Sequence, residues 1–535
     1  MDLAVEQGTQ PPPIGSVDPS PWHRRHGVDA LVVLVLVVLA TIARRGGLPD
    51  DGLWYDDAWV AAGASKAPLS DLFVVSTTHP GFTALLMAWS RAISARSELM
   101  ALPALLAGVA TAPLVYVFLL RLRVDRTIAL ALGVCVVVAP AHVQYSSRVK
   151  SYVFEVLVVL ALAAIVGRLV RSSWGWTTVV LWVAGAVVIG TVSSLAMLAT
   201  AVAALVLALH PAGDCVRRLV AVGAQGLIQV AYFAVVQGSF NSERLAKDWD
   251  VVYEGYIDLD GGPVAVAKQV VSHVSRVGAA LVEGVPTVRV GLVLVAGLGL
   301  VVAALKGPRA VMARYLLALL VVAFVGSLAR VLPFGASNEQ LLSPGSRATL
   351  WLFPPLLVGL ALAVDGALRW VRRRSWPAVP LQVAFLGLAA LLAVRSFEPA
   401  VGYPLNGGRT SNEYILTSLE PDEPVIMFQV GTFPHAAEPG VPVGIEPATK
   451  TLNGFEAVIT DPRVWVLGRP PWDGSVEALS ARIGDAGRVV IHDGLPGFGD
   501  AQLPAVEGAL ETLGFERIDE RVLGDTVGVQ LWQRG

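Results

Sequence analysis

The sequence predicts a polytopic α-helical membrane protein of about 11 to 13 transmembrane helices that ends in a C-terminal α/β domain. Of its 535 residues, 54% are hydrophobic and 15% are charged, whereas soluble domains carry about 25% charged residues. The mean hydropathy is +0.62. Apolar runs of nearly bilayer-spanning length recur between residues 28 and 395. After residue 396 these runs become short, and strand-like stretches alternate with helix-like ones, which is typical of a small α/β domain.

Residues 1–27 are predicted to form a disordered cytoplasmic tail, because they contain too few apolar groups to fold. The basic stretch HRRH (23–26) precedes the first apolar run and places the N-terminus in the cytoplasm. The transmembrane domain is predicted over residues 28–395. Its candidate spans are 28–43, 80–95, 99–120, 127–144, 152–167, 176–191, 193–209, 219–238, 287–305, 313–332, 348–368 and 378–395.

Basic connectors between these spans indicate which loops face the cytoplasm of a bacterial cytoplasmic membrane. From residue 121 onward the assignments alternate without contradiction. They leave "SSRVKSY" (146–152), the loops 239–286 and 333–346, and everything after residue 396 on the outer face. The cytoplasmic groups are Arg121/Arg123/Arg126, Arg168/Arg171, Arg217/Arg218, Lys306/Arg309/Arg314 and Arg369/Arg372/Arg373/Arg374.

The alternation does not balance between the first span and residue 121. With 44–78 outside and 121–126 inside, an odd number of crossings must lie between them, yet this stretch contains two apolar runs. The run 80–95 is short and includes Trp89, Ser90 and Arg91. Either this run enters the membrane only in part, or a further crossing exists; the sequence leaves both open.

The segment 396–535 is predicted to be an extracytoplasmic α/β domain. The Pro- and Gly-rich stretch 431–448 is predicted to be a loop over its surface. The predicted strands lie in 423–430, 463–468, 488–494 and 526–534, and the predicted helices in 475–487 and 503–515.

Composition excludes several function classes. A net charge of -2 without a basic stripe argues against nucleic-acid binding. Cys135 and Cys215 lie in different settings and predict neither a disulfide nor redox chemistry. The intramembrane acids Glu155 and Asp365 form no chain across the bilayer, which argues against an ion-coupled transporter.

Two adjacent carboxylates, Asp56 and Asp57, stand in "LWYDDAWVAAG" just after the first span. One interpretation is that they are solvated loop acids or a helix cap. The other is that they divide a catalytic task, one accepting a proton and the other orienting a partner. The pair alone does not decide between these interpretations.

Three basic residues, Arg148, Lys150 and Arg347, lie at outer ends of spans, against the positive-inside bias. A lipid-phosphate sugar donor needs cations at this membrane face, because its phosphate becomes the leaving group. Arg suits bidentate phosphate contact and Lys acts as a point charge. The alternative is that each side chain only reaches the outer head groups.

The order of several short motifs resembles the GT-C superfamily of integral-membrane glycosyltransferases. The likeness is to the branch with protein O-mannosyltransferases and lipid A aminoarabinose transferases. The matching features are the acidic pair in the first outer loop, His79-Pro80 at the next helix, Leu102-Pro103 in "ALPALLAG", "SSRVKSY" with Tyr152, and "SPGSRATLWLFPPLL" with Arg347 and Pro354-Pro355. The sequence departs from the branch where Ala101 and Lys150 replace Arg and where Arg148 replaces Glu.

The resemblance implies a transferase that moves a sugar from a polyprenyl-phosphate donor to a hydroxyl on a glycan, lipid or protein, with inversion. In that role Asp56 is the general base, and Asp57 orients Asp56 or a nearby cation. The donor phosphate and sugar would be bound by His79, Arg148, Lys150, Tyr152 and Arg347. The alternative from another class is a polytopic lipid or glycan transporter, or a non-catalytic membrane scaffold.

A divalent cation is an open question at this stage. The acidic loop 239–286 offers carboxylates that suit Mg²⁺ or Mn²⁺, and some GT-C branches use such metals. A solvated polar loop accounts for the same residues. The candidate ligands are Asp248, Asp250, Asp258 and Asp260.

Overall fold

The computed structural model contains a helical membrane domain and a C-terminal α/β domain. The residues that it describes are 20–49, 51–76, 79–210, 214–237, 247, 250–251, 254–282, 286–335, 345–396, 408–428, 432–447, 455–467, 472, 474–493, 502–523 and 527–535.

The membrane domain is built from apolar helices of unequal length. A 3-10 segment, Gly345–Leu352, runs directly into the helix that follows it. The described helices are α1 (Ser20–Arg45), α2 (Tyr55–Lys66), α3 (Leu72–Val75), α4 (Pro80–Ala92), α5 (Ser97–Met100), α6 (Leu102–Arg121), α7 (Arg126–Val138), α8 (Pro140–Tyr145), α9 (Tyr152–Leu169), α10 (Trp176–Gly190), α11 (Ser194–Ala208), α12 (Cys215–Tyr232), α13 (Gly262–Gly278), α14 (Pro286–Leu305), α15 (Ala310–Leu328), α16 (Phe353–Arg373) and α17 (Val379–Ser396).

Seven of the described helices are long and apolar enough to cross a membrane: α1, α6, α9, α12, α14, α15 and α16. Four shorter apolar helices, α7, α10, α11 and α17, lie among them. The chain is therefore a multi-pass membrane protein, as predicted. Its core runs through α6, α7, α9, α15 and α16 and includes Tyr116, Tyr315 and Trp351.

The candidate span at 80–95 is wrong, because this segment is a short surface helix. Helix α4 has 13 residues, as α7 does, but unlike α7 it is not among the apolar helices of the described chain. It packs on α2, and its Phe82 belongs to an apolar cluster shared with the C-terminal domain. With α4 removed from the spans, one crossing, α6, joins the outer loop to the basic connector, and the predicted alternation balances.

The basic connectors that predict the cytoplasmic side meet at one end of the helix bundle. Asp365 accepts a hydrogen bond from Arg309 at 3.2 Å and pairs with Arg369. Arg372 pairs with Asp125 at 2.9 Å. These contacts join the connectors after α6, α14 and α16, and the C-terminal domain packs at the opposite end of the bundle.

Helix α1 begins at Ser20, inside the segment predicted as a tail, so the boundary at residue 28 is not the boundary of the helix. Polar residues end an apolar run in the sequence without ending a helix, because the backbone hydrogen bonds of a helix do not depend on apolar side chains. The rest of the predicted tail, residues 1–19, lies outside the described residues.

The C-terminal domain has three layers around a five-stranded sheet of order β4-β1-β5-β7-β6. Strands β4, β1 and β5 are parallel, and β7 and β6 continue the sheet in antiparallel fashion. The described elements are α18 (Gly408–Ser418), β1 (Val425–Phe428), α19 (Thr432–Ala437), β2 (Val443–Pro447), β3 (Phe455–Ile459), β4 (Val464–Leu467), α20 (Val476–Ile483), β5 (Arg488–His492), α21 (Leu503–Thr512), β6 (Phe515–Leu523) and β7 (Val527–Arg534). Helices α20 and α21 pack on one face of the sheet, and α18 packs on the other.

The stretch 431–448 is not a surface loop. Its described part forms α19 and β2, and β2 pairs with β3 as a separate antiparallel hairpin. These elements share an apolar cluster with α2 through Phe433, Ala436 and Phe455. The prediction failed because Pro and Gly within a short segment suggest a loop, whereas here the segment docks the domain onto the membrane domain.

Helix α18 fastens the two domains together at its first turn. Arg409 pairs with Glu98 of α5 at 2.9 Å. The backbone N–H and the hydroxyl of Thr410 both donate to Asp51 in the loop after α1, at 2.9 and 2.6 Å. The membrane domain therefore holds the start of this helix.

The next two residues of α18 hold the C-terminal domain. Ser411 lies 3.1 Å from Nε2 of His492 at the end of β5, and Asn412 contacts His435 of α19. Burial lowers the pKa of His435 to about 3 and that of His492 to about 4, so both imidazoles are neutral near pH 7. This arrangement gives both histidines a structural role.

Candidate active site

Helix α2 carries the acidic pair at the end of the bundle opposite the basic connectors. The backbone N–H groups of Asp57 and Ala58 donate to the carbonyl of Trp54 at 2.8 and 2.7 Å, which starts the helix. Carboxylates in a first turn are stabilised by the positive end of the helix dipole. Neighbouring positions point to different faces, so the side chain of Asp56 is 35% exposed and that of Asp57 is 1% exposed.

Asp57 forms a buried ion pair with Arg148. The Arg148 Nη1 atom lies 3.1 Å from Asp57 Oδ2, and the arginine side chain is 3% exposed. A buried arginine needs such a partner, because an isolated charge in a low-dielectric interior is strongly disfavoured. Asp57 is therefore shielded from substrate, and the contact it makes is to a cation.

Asp56 meets Arg347, which lies 291 positions further along the chain. Arg347 Nη1 donates to Asp56 Oδ2 at 2.8 Å. The 3-10 segment Gly345–Leu352 carries Arg347 to the mouth of the bundle and packs on α9. Because Asp56 keeps a third of its surface accessible, it can face a bound molecule while it pairs with the arginine.

Lys150 lies over the indole ring of Trp59, one helical turn after Asp56. Its Nζ atom is 4.5 Å from the ring centroid, within the range of a cation–π contact. The Trp59 side chain also lies close enough to Asp56 to help lower the pKa of that carboxyl group. Trp59 therefore touches both a cation and an acid of the site, a role that the sequence did not indicate.

The local field keeps Asp56 ionised. Burial acts to raise its pKa, but the positive charges of Lys150, Arg347 and Arg148 outweigh burial and hold the pKa at about 2. Burial lowers the pKa of Lys150, and the charges of Asp56 and Asp57 oppose that shift. Near pH 7 Asp56 is thus a carboxylate, surrounded by cations.

The described part of the cluster contains more positive than negative charge. Arg148, Lys150 and Arg347 are three cations, whereas Asp56 and Asp57 supply two carboxylates. One net positive charge remains at a largely buried position, and an anion with one negative charge would neutralise it. The arrangement therefore suits an anionic ligand.

His79 and Tyr152, the other two predicted donor-site residues, lie at the edge of this cluster. The His79 ring is 6.0 Å from the Trp59 ring, and burial together with the charge of Lys150 lowers the pKa of His79 to about 3. Tyr152 packs edge-on against Tyr145 at 5.1 Å and lies within electrostatic reach of Arg347 and Asp56. His79 is thus neutral at physiological pH.

The predicted outer loop 146–151 is buried beneath α2 rather than solvated. Arg44, at the end of α1, supports it from below by donating to Ser146 Oγ at 3.1 Å. The same guanidinium donates to the carbonyls of Val136 and Val137 at the end of α7 and contacts His142. The sequence analysis missed Arg44, although an arginine at an outer helix end runs against the charge bias and could have indicated it.

The C-terminal domain covers the other side of α2. Phe455 of β3 is fully buried, and its ring lies 6.3 Å from that of Trp59. A Cβ at Gly63, one turn further along α2, would lie 3.0 Å from the Phe455 ring, so glycine permits this close approach. The domain therefore contributes directly to the wall behind the cluster.

The candidate metal ligands do not join this cluster within the described part of the chain. Asp250 pairs with Arg330, and Asp258 accepts a hydrogen bond from the backbone of Asp260 at 3.0 Å. Asp248 lies outside the described residues. Among the described residues, no three His, Cys, Asp or Glu side chains gather as metal ligands would.

Two solved structures share this architecture over nearly the whole chain. ArnT from Cupriavidus metallidurans in the apo state matches with a TM-score of 0.51 at 14% sequence identity, over 95% of this chain and 98% of that one. ArnT bound to undecaprenyl phosphate matches with a TM-score of 0.52 at 15% identity, over 96% and 98%. No known protein family matches the sequence, and no curated protein matches it. At these identities the likeness shows the fold alone, and the predicted architecture of a helical membrane domain followed by a C-terminal α/β domain is confirmed.

Proposed function

We propose that this chain is an inverting glycosyltransferase of the outer face of the cytoplasmic membrane. It takes a sugar from a polyprenyl-phosphate donor and transfers it to a hydroxyl of a glycan, lipid or protein. Asp56 is the general base, and Arg347, Lys150 and Arg148 hold the donor phosphate. The observation that carries this proposal is the meeting of Asp56 with those three cations at the mouth of a GT-C bundle, beneath the C-terminal domain.

The charge of the cluster suits both ends of such a reaction. A polyprenyl-phosphate sugar is a phosphodiester with one negative charge, equal and opposite to the excess charge of the site. After transfer the phosphate is a monoester with up to two negative charges, while Asp56 has gained the proton and is neutral. The cations then exceed the remaining carboxylate, Asp57, by two, so the site stays balanced throughout.

The transfer is a single displacement. The acceptor hydroxyl oxygen forms a bond to the anomeric carbon while the bond from that carbon to the phosphate oxygen breaks. The hydroxyl proton passes to Asp56, and the bonding electron pair leaves on the phosphate, beside Arg347 and Lys150. Attack from the face opposite the phosphate inverts the anomeric centre.

Donor binding also turns Asp56 into a better base. In the resting site Arg347 and Lys150 hold the pKa of Asp56 at about 2, which makes the carboxylate a weak proton acceptor. A phosphate that binds these cations competes with Asp56 for them, so the pKa of Asp56 rises when the donor is in place. Asp56 thus gains basicity at the moment when an acceptor hydroxyl can use it.

The choice of donor class draws on the fold. ArnT, which shares the fold, was solved with undecaprenyl phosphate bound. The same lipid phosphate provides the anion that the three cations suit. The burial of Asp57 against Arg148 assigns Asp57 to holding that cation, rather than to contact with the acceptor.

The test measures incorporation of labelled sugar from a panel of polyprenyl-phosphate donors into membranes that contain the wild-type protein or Asp56→Asn. We expect the wild type to transfer sugar and Asp56→Asn to lose at least about 100-fold of that activity. Asp71→Asn is the matched control, since Asp71 lies on the same outer segment and is bonded only by its neighbour Ser70 among described contacts. A folded Asp56→Asn protein with wild-type activity would contradict the proposal and favour the transporter or scaffold.

A further inference from the structure

We infer that Trp59 is a positioning residue for Asp56 and Lys150, and that Phe455 of the C-terminal domain holds the Trp59 ring in place. This inference rests on the proposed function and deepens it. It makes the C-terminal domain a working part of the site, with one named side chain as its point of contact.

Trp59 contacts the two charges that the proposed reaction must keep apart. Its indole N–H lies close enough to the Asp56 carboxylate to lower the pKa of that group, and its ring face receives the Lys150 ammonium at 4.5 Å. Lys150 has a flexible side chain with a compact charge, and an adjacent carboxylate would attract it. The ring binds the Lys150 ammonium instead, so that Lys150 faces the proposed phosphate position and does not form a direct ion pair with Asp56.

Phe455 fixes the ring that performs this task. The two rings lie 6.3 Å apart at an angle of 56°, and Phe433 braces Phe455 edge-on at 5.6 Å. The bare backbone of Gly63 lets the tip of Phe455 approach α2 directly below Trp59. The Trp59 ring is thus next to both Phe455 of the C-terminal domain and the Lys150 ammonium.

The consequence is that loss of Phe455 should disturb turnover without removing any charged group. A freed Trp59 ring samples other rotamers, and the Asp56 carboxylate and Lys150 ammonium lose their mutual geometry. A misplacement of about 1 Å in a catalytic group costs about 100-fold in rate. Among the described contacts of Arg347 and Arg148, two of the three cations proposed to hold the donor phosphate, none is to Trp59. Both should therefore keep their positions, so the KM for the donor should change less than kcat.

The experiment compares Phe455→Leu with Phe515→Leu in the full-length protein. Phe515 is a matched control, because it is equally buried in the same domain and belongs to the cluster on the far face of the sheet. We expect both variants to lose similar thermal stability. We expect Phe455→Leu to lower kcat about 10- to 100-fold and Phe515→Leu to stay within about two-fold of the wild type.

Trp59→Phe provides a second readout, which a purely structural role would not move. It keeps a ring face for Lys150 but removes the N–H that stabilises the Asp56 carboxylate, so the pKa of Asp56 rises. Activity requires the carboxylate and is lost as the pH falls through that pKa. The acid limb of the kcat profile should therefore move to higher pH than in the wild type.

The outcomes separate the two proposals. Suppose that Asp56→Asn abolishes transfer. If Phe455→Leu and Phe515→Leu then have the same kcat, or if Trp59→Phe has the acid limb of the wild type, this inference is overturned and the proposed function stands. If the wild type transfers no sugar, the proposed function fails first. If Phe455→Leu does not fold, the acid limb of Trp59→Phe decides.

Discussion

Removal of the Asp57 carboxylate should destabilise the protein more than removal of the Asp56 carboxylate. Asp57 and Arg148 are both almost fully buried, and their charges lie 3.1 Å apart. At an effective dielectric constant of about 20, charges at that separation attract by about 5 kcal/mol. In Asp57→Ala the Arg148 charge stays buried without this carboxylate, and breaking one side of such a pair costs roughly 3–5 kcal/mol. Asp56 is 35% exposed, so Asp56→Asn should lose less stability than Asp57→Ala, while transfer is lost.

The assay is thermal unfolding of the detergent-solubilised protein, paired with sugar transfer in membranes. The double variant Asp57→Ala/Arg148→Met is the control, since it removes both buried charges and keeps an apolar side chain of similar length. We expect the double variant to recover at least half of the lost stability but not the activity. Wild-type stability for Asp57→Ala alone would refute the reasoning, because Arg148 would then not depend on Asp57.

Three further predictions concern the same end of the bundle. Arg347→Met removes a cation that lowers the pKa of Asp56, so that pKa should rise from about 2. In a kcat/KM profile normalised to its maximum, the acid limb should therefore move to higher pH than in the wild type. An acid limb at the wild-type pH would contradict this prediction. Gly108→Ala should destabilise the protein in thermal unfolding, because its Cβ would lie 2.1 Å from Ser146 Oγ, whereas Gly185→Ala, with open space around it, should not. Transfer should persist in EDTA, since three side-chain cations already face the phosphate; a loss reversed by Mg²⁺ or Mn²⁺ would assign the metal a role and contradict this expectation.

Features that depend on the local composition of the chain can be predicted from the sequence. Hydropathy locates the apolar helices, and the basic connectors group correctly at one end because the charge bias acts on each loop separately. The side assignment from these connectors predicts that Asp56, Lys150 and Arg347 lie on one face of the membrane. The meeting of Asp56 with Arg347 across 291 positions depends on helix packing, which a local pattern does not record.

The features that escaped prediction are those created by contact between the two domains. Trp59 has the sequence signature of an interfacial aromatic residue, and only the approach of Phe455 and Lys150 gives it another role. The run 80–95 is apolar because it faces α2 and the C-terminal domain, not lipid. An apolar face does not reveal which apolar partner covers it, so the extra span was a natural error.

The joint at the start of α18 limits how such proteins can be recombined. Of four successive residues, Arg409 and Thr410 contact the membrane domain, and Ser411 and Asn412 contact the C-terminal domain. A chimera cut between the last membrane helix and β1 would inherit one half of this joint without its counterpart. Exchange of C-terminal domains among proteins of this fold would require Asp51, Glu98 and residues 409–412 to be exchanged together.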